Sequence, residues 1–327
     1  MIIVRSPLRI SFAGGGTDLP NYYREGFGAV CSVAINKYVY VTVNNLATFF
    51  PHRFRLAYSQ TEQTQDVASI KHPIVREVLN EMKFHGGVDI NVMADIPAGT
   101  GMGSSSAFTV SLLHALHAFR SELVEKEYLA REASRLEIDI LKEPIGKQDQ
   151  YAAAFGGINL FRFQANEKVS VEPVPLSPKI REQLMGNLMM FYLGGNRQAS
   201  QILKEQKEKT ENNRVMLDRM RDQALEVAKI LTGSRPLDDL GELLHEGWMM
   251  KKSLTGGITN DIVDAAVEAG LKAGALGGKL LGAGGTGFLL FYATPAHHEN
   301  IRRALPHLAE VQFQVDEMGS SLLYYGL

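Results

Sequence analysis

Pro97-Ala98-Gly99-Thr100-Gly101-Met102-Gly103-Ser104-Ser105-Ser106 sets three glycines, each one residue apart, and three consecutive hydroxyls between two runs of different period. Before it, Val88, Ile90 and Val92 alternate with Asp89, Asn91 and Met93, the period-two pattern of a half-buried strand. After it, Phe108, Leu112, Leu113, Leu116 and Phe119 fall near one helical face, which predicts a helix over 105–119 with Ser104 to Ser106 at or just inside its N-terminus. Unpaired N–H groups and the positive end of the helix dipole face an anion there. Glycine lets the backbone approach phosphates without a Cβ in the way, and serine hydroxyls can bond a phosphate oxygen or ligate a hard cation. The stretch therefore reads as a polyphosphate cradle, with a Gly/Ser turn that caps a helix as the alternative. It is not a Walker A loop, since no Lys follows the last glycine and no G-x-x-x-x-G-K-[ST] run occurs anywhere. A dinucleotide site is a poor fit, because the βαβ setting and the downstream ribose-binding acid are missing.

Composition bounds the rest. The 327 residues, 45% hydrophobic with a net charge of -2, suffice for one large domain or two ordinary ones. A near-neutral balance gives no footprint for nucleic acid or an anionic membrane. Cys31, the single cysteine, excludes an internal disulfide framework and a cysteine-rich metal site, and its apolar neighbours mark it as a reduced core residue. The chain opens on the strand-like Met1-Ile2-Ile3-Val4 with no charged leader, and no apolar run approaches the ~20 residues of a membrane-spanning helix. These features predict a cytoplasmic protein without a membrane partner.

Strands and helices are mixed along the chain. Leu8, Ile10 and Phe12 alternate with Arg9 and Ser11, and a second strand is predicted over 38–43. Helices are predicted over 73–82 and 126–141. Pro173, Pro175 and Pro178 prevent the stretch 170–178 from continuing a central strand or a helix, so a domain boundary is placed near it. Beyond it follow a strand over 188–193, long charged helical structure over 197–231 and a helix capped by Asn260 or Thr259. The last strands are predicted over 288–292 and 311–315.

Three more features carry chemistry. In Arg9-Ile10-Ser11-Phe12-Ala13-Gly14-Gly15-Gly16-Thr17-Asp18, Arg9 points away from the apolar side of its strand, and a glycine triplet then delivers Thr17 and Asp18. Consecutive glycines weaken a regular element by roughly 0.5–1 kcal/mol each relative to Ala, so the triplet reads as a close approach to a ligand, or else as a simple turn. Glu137 and Asp149 lie on either side of the helix-ending Pro144-Ile145-Gly146-Lys147-Gln148. Phosphoryl transfer needs an acidic ligand for Mg²⁺ and a group that orients or deprotonates the acceptor hydroxyl, and two such carboxylates can divide those roles. Glu143 and Asp139 are competing candidates. Finally, Lys279-Leu280-Leu281-Gly282-Ala283-Gly284-Gly285-Thr286-Gly287 is a glycine-rich loop leading into a strand, placed to close over a nucleotide or over the first loop, with a β-turn as the alternative.

Together these stretches resemble the GHMP small-molecule kinases, in the expected order and over nearly the whole chain. The strings 7–18 and 146–151 most resemble the members that phosphorylate D-glycero-D-manno-heptose 7-phosphate at its anomeric hydroxyl to the 1,7-bisphosphate, on a route to surface polysaccharide. The resemblance implies an α+β fold of two domains: an N-terminal one, 1–172, similar to ribosomal protein S5 domain 2, and a C-terminal ferredoxin-like α/β sandwich, 173–327. It implies ATP and Mg²⁺ as cofactors and a small-molecule sugar phosphate as partner. Asp149 and Arg9 would be catalytic. Pro97, Gly99, Thr100, Gly101, Met102, Gly103, Ser104, Ser105, Ser106, Gly282, Gly284 and Gly285 would bind ATP, and Ser105 and Glu137 the metal. Gly15, Gly16, Thr17 and Asp18 would bind the sugar. Galactokinases carry Glu and His where this chain has Gly15 and Gly16, which argues against galactose. A cation must meet the sugar's own phosphate; Arg197, in a glycine turn opening a helix, is the first candidate and Lys252 the second. The oligomeric state is left open, a homodimer included.

Overall fold

Two long strands near the start of the chain organise the larger of two sheets in a computed structural model that describes residues 1–195 and 200–326. In chain order the described strands are β1 (Ile2–Ala13), β2 (Phe27–Asn45), β3 (Phe54–Ala57), β4 (Thr61–Thr64), β5 (Val88–Ala94), β6 (Ile158–Gln164), β7 (Val169–Pro173), β8 (Leu188–Gly194), β9 (Gly277–Leu280), β10 (Gly287–Tyr292), β11 (Ala309–Glu310) and β12 (Ser321–Tyr325). The β-branched and aromatic residues of β2 suit a pleated, packed surface, and its 19 residues give it two partners along one edge. β5 pairs with its second half, from Val39 to Asn45, and β6 with its first half, from Phe27 to Val33. The main path runs β12-β1-β2-β5-β3-β4, with β7 outside β6. Pro173 is tolerated because β7 pairs with β6 alone, so Pro173 ends an outer strand.

The predicted strand over 88–92 and helix over 105–119 are present as β5 and the helix Ser104–Phe119, which packs on β1 and β2. β12 covers β1 only from Ile2 to Arg5. Further along, that edge of β1 is open to the glycine loop, and the Arg9 N–H donates to the Met102 carbonyl at 3.1 Å. The fold thus fastens the cradle to the strand that carries Arg9.

The smaller sheet, β11-β8-β10-β9, is antiparallel throughout. The helix Arg214–Leu231 crosses to pack on β1, β2 and β6, and the helix Asp239–Leu254 packs on β9, so a hydrophobic core runs from one sheet to the other. Cys31 is buried and unoxidised, its thiol pushed up to about 12 by burial. Asn260 caps the helix Asp261–Lys272, its Oδ1 accepting from the Val263 N–H at 3.0 Å.

Three expectations change. The helix predicted over 126–141 is α-helical over Lys126–Ser134 and continues as a π-helix over Arg135–Ile140, a wider turn that carries Glu137. The helical stretch over 197–231 contains two helices, Ser200–Glu208 and Arg214–Leu231, among the described residues. The strand predicted over 311–315 does not form a ladder. Val311 donates to Met190 of β8, whereas the Gln314 carbonyl accepts from Asn36 and the Asp316 N–H donates to Ala34, both in β2. The segment is extended and alternating, but it switches sheets midway and pairs long enough with neither.

Candidate active site

The glycine loop, the triplet turn, the start of the helix Gln148–Phe155 and the 279–287 loop meet around one cavity of about 260 Å³. Gly99, Gly101, Gly103 and Ser104 to Ser106 line it. Gly103 takes the left-handed conformation at φ 77° and precedes the helix without a side-chain cap, so the N–H groups of the first turn face the cavity as anion donors. A Cβ on Gly103 would sit 3.1 Å from the carboxyl carbon of Asp149, which places that acid directly beneath the cradle. The other cradle residues serve the loop itself. The Thr100 hydroxyl donates to the Pro97 carbonyl at 2.9 Å, and Met102 is buried in the core.

Arg9 and Asp149 form the central pair. Arg9 Nε donates to Asp149 Oδ1 at 2.7 Å and Nη1 to the Gly101 carbonyl at 2.8 Å, so one guanidinium joins strand, cradle and acid. It is 6% exposed, while the Asp149 side chain keeps 25% of its surface open to the cavity.

Glu137 lies deeper. Its Oε1 accepts from the Ser105 and Thr109 hydroxyls at 3.3 and 3.1 Å, and its Oε2 from Gln150 Nε2 at 2.6 Å. Burial pushes its carboxyl up to about 7, with nearby Asp149 adding to the shift and the donated hydrogen bonds opposing it. Of the competing acids, Asp139 and Glu143 are exposed, although Glu143 reaches the cavity rim. Glu137 with Ser105 is therefore the oxygen pair suited to a hard cation: a buried carboxylate short of positive charge beside an exposed hydroxyl.

Gly15, Gly16 and Asp18 line the cavity; Thr17 does not. The Thr17 hydroxyl lies between the Gly14 and Ala29 carbonyls, either of which can take its single proton, and accepts from the Ala29 N–H, bracing the turn from within. Asp18 is held on both oxygens, by the Gly16 N–H on one and by the Gln148 N–H and Nε2 on the other. Burial, with Asp149 nearby, raises its carboxyl above the ordinary value.

Gly282 also lines the cavity, packed so closely on the cradle that a Cβ on it would lie 2.2 Å from the Gly101 Cα. Gly284 and Gly285 pack instead on Ile258, whose carbonyl accepts from the Gly285 N–H. Arg197 lies outside the described residues. Lys252 pairs with Asp264 at 3.2 Å and is not among the cavity residues.

Two lysines without an assigned role in the sequence analysis do line the cavity. Lys279 donates to the Ser11 and Phe12 carbonyls, both at 3.0 Å, and Lys251 donates to the Gly282 carbonyl. Desolvation, with Lys251 and Arg9 adding repulsion, holds the Lys279 ammonium down to about 7; Lys251 falls to about 8 by desolvation and Arg9, opposed by Asp18 and Asp149. Nothing in the local sequence marks these as interior cations. The one available signal is the position of Lys279 at the head of its glycine loop.

The chain is also similar to known proteins over nearly its whole length. The chain is 26% identical over 93% of both chains to D-glycero-alpha-D-manno-heptose 7-phosphate kinase of Campylobacter jejuni. It is 28% identical over 92% of its length to L-fucokinase/L-fucose-1-P guanylyltransferase of Bacteroides fragilis, spanning 35% of that longer protein. A solved D-glycero-D-manno-heptose 1-phosphate kinase from Bacteroides thetaiotaomicron superposes with a TM-score of 0.81 at 24% identity, over 99% of both chains. Residues 69–157 match the GHMP kinases N-terminal domain and residues 225–310 the GHMP kinases C-terminal domain. With both halves matched in order and covering more than half of the sequence between them, the chain belongs to the GHMP kinases, a family of ATP-dependent phosphotransferases.

Proposed function

We propose that the chain is a cytoplasmic sugar kinase that transfers the γ-phosphoryl group of ATP to the anomeric hydroxyl of D-glycero-D-manno-heptose 7-phosphate, giving the 1,7-bisphosphate and ADP. The observation that carries this reading is the Arg9–Asp149 pair at 2.7 Å beneath the glycine cradle, open to a cavity that the glycine triplet also lines. Asp149 accepts the hydroxyl proton as the sugar oxygen bonds to the γ-phosphorus and the bond to the ADP oxygen breaks. Arg9 holds the charge on the group in flight. Ser105 and Glu137 would hold Mg²⁺, which neutralises phosphate charge when bound. The small residues Gly15 and Gly16 leave room for a long acceptor, and Arg197 is the proposed partner of its phosphate. In this reading 1–172 and 173–327 are the two domains, a division on either side of which the two family matches fall.

The fucokinase relative favours a second reading, an unphosphorylated sugar as acceptor. Leu203, Gln206, Met220 and Gln223 bring no formal charge to the cavity, which suits that alternative as well. ATP consumption with a panel of sugars and sugar phosphates tests both. A heptose 7-phosphate should far exceed the free heptose, mannose and fucose in kcat/KM, and equal efficiency on free sugars would replace the first reading by the second. In the same assay Glu137→Gln should need more Mg²⁺ for half-maximal rate; an unchanged requirement would remove Glu137 as a metal ligand.

A further inference from the structure

Two cations hang from two loops that touch. Gly101 and Gly282 have φ of 79° and 75°, and their backbones are so close that a Cβ on either would lie less than 3 Å from the other loop. The Gly101 carbonyl accepts from Arg9 and the Gly282 carbonyl from Lys251, so both side chains reach the cavity from one seam. Arg9 spends its Nε on Asp149. Lys251 makes no other hydrogen bond among the described residues, although an ammonium has three donors and this one is half-buried against the cavity. A half-buried cation with spare donors, only partly offset by the carboxylates of Asp18 and Asp149 nearby, is stabilised further when an anion arrives. The cavity it faces is lined by Ser104, Ser105 and Ser106 in the uncapped first turn of a helix, where free N–H groups favour an anion.

We propose that Lys251 is a second cationic contact on the phosphoryl group in transfer, closing with Arg9 a two-sided clamp around it. Lys251 is thereby a catalytic residue, and Lys252, turned to Asp264, is not. The inference rests on the phosphotransferase reading but not on the identity of the sugar. The alternative anion is the phosphate that the acceptor brings with it. The seam argues for the transferred group, since Lys251 is tied to the loop that packs on the nucleotide cradle.

The test compares Lys251→Met and Lys251→Arg with Lys252→Met and the wild type. Each is assayed for ATP hydrolysis to water without acceptor, and for transfer to the best sugar of the panel. We expect Lys251→Met to lose about 100-fold or more in kcat in both assays, the scale of removing one preorganised donor to transition-state charge. Its KM for ATP should change less than about threefold, its Tm should equal or exceed the wild type's, and Lys251→Arg should recover part of the rate. Lys252→Met should stay within about twofold in every assay. Hydrolysis and transfer that both keep more than a third of wild-type kcat in Lys251→Met would overturn the clamp. So would a loss confined to the KM of phosphorylated acceptors, which would assign Lys251 to the acceptor's phosphate, or a parallel loss of Tm, which would make it structural. Failure of every sugar in the panel would sink the acceptor assignment alone, because the hydrolysis assay still reads the clamp.

Discussion

The triplet turn and the start of the helix Gln148–Phe155 each bring one carboxylate to the same cavity, and they hold it differently. Asp18 is 3% exposed, with both oxygens taken by three N–H donors from its own turn and from Gln148. Asp149 has Arg9 as its hydrogen-bond partner among the described residues and keeps a quarter of its side-chain surface open. An acid whose two oxygens are both engaged by fixed amide donors shapes a loop. One with an open oxygen beside a fixed cation can receive a proton. In the proposed reading the same residue type serves as scaffold at 18 and as reagent at 149, and the number of donors aimed at each carboxylate sets the difference.

The most severe test of that contrast is Asp149→Asn. It should lower kcat by about 10²–10⁴-fold, the scale of a lost general base, with ATP affinity and Tm nearly unchanged. Retention of more than about a tenth of wild-type kcat would move the base role elsewhere, with Asp18 next in line. Arg9→Lys follows, at about 10²–10³-fold in kcat, because an ammonium cannot span both Asp149 and the Gly101 carbonyl while facing a phosphoryl group. Similar rates in Arg9→Lys and wild type would show that the guanidinium only positions Asp149.

Asp18→Asn should invert the pattern of Asp149→Asn. Its new amide would point N–H groups at N–H donors, leaving at least one buried donor unmatched at about 1–3 kcal/mol, so Tm should fall while a folded fraction retains much of its kcat. A variant with wild-type Tm and no activity would refute the scaffold role. The smallest effect concerns the lysine that pins the strand leading into this turn. Folded Lys279 loses its proton near pH 7, whereas the unfolded side chain keeps it to about 10.5, so between those values the unfolded state binds more protons and stability rises with pH. Urea unfolding from pH 7 to 9 should show that rise in the wild type and a flatter profile in Lys279→Met. Parallel profiles would mean that Lys279 titrates normally.

The cradle was legible because its parts are local: a period-two strand, single-spaced glycines and a helix start all lie within 88–119. Asp149 and Glu137 could be nominated but not separated from Asp139 and Glu143, since the sequence does not reveal which carboxylate a π-turn carries inward. The segment 311–315 misled for the opposite reason. Its alternation is that of a strand, but the partners belong to two sheets, and partners are not written in the alternation. Lys279 is buried beside Leu280 and Leu281 and Lys251 half-buried after Met249 and Met250, positions where a lysine ordinarily snorkels to solvent, so neither the strand nor the helix pattern flags a charge in the cavity.

The sequence by itself determined the elements whose information lies within one turn or one strand: the cradle, a helix start at Thr259 or Asn260, the glycine triplet and the family they signal. Tertiary structure alone decided which charges share the cavity, how many donors each acid receives and that two glycine loops touch. These are contacts between residues as far apart as Gly101 and Gly282 or Arg9 and Asp149. Burial and electrostatic coupling depend on distance in space, and only the packing of β1, the cradle helix and the smaller sheet around one cavity sets those distances.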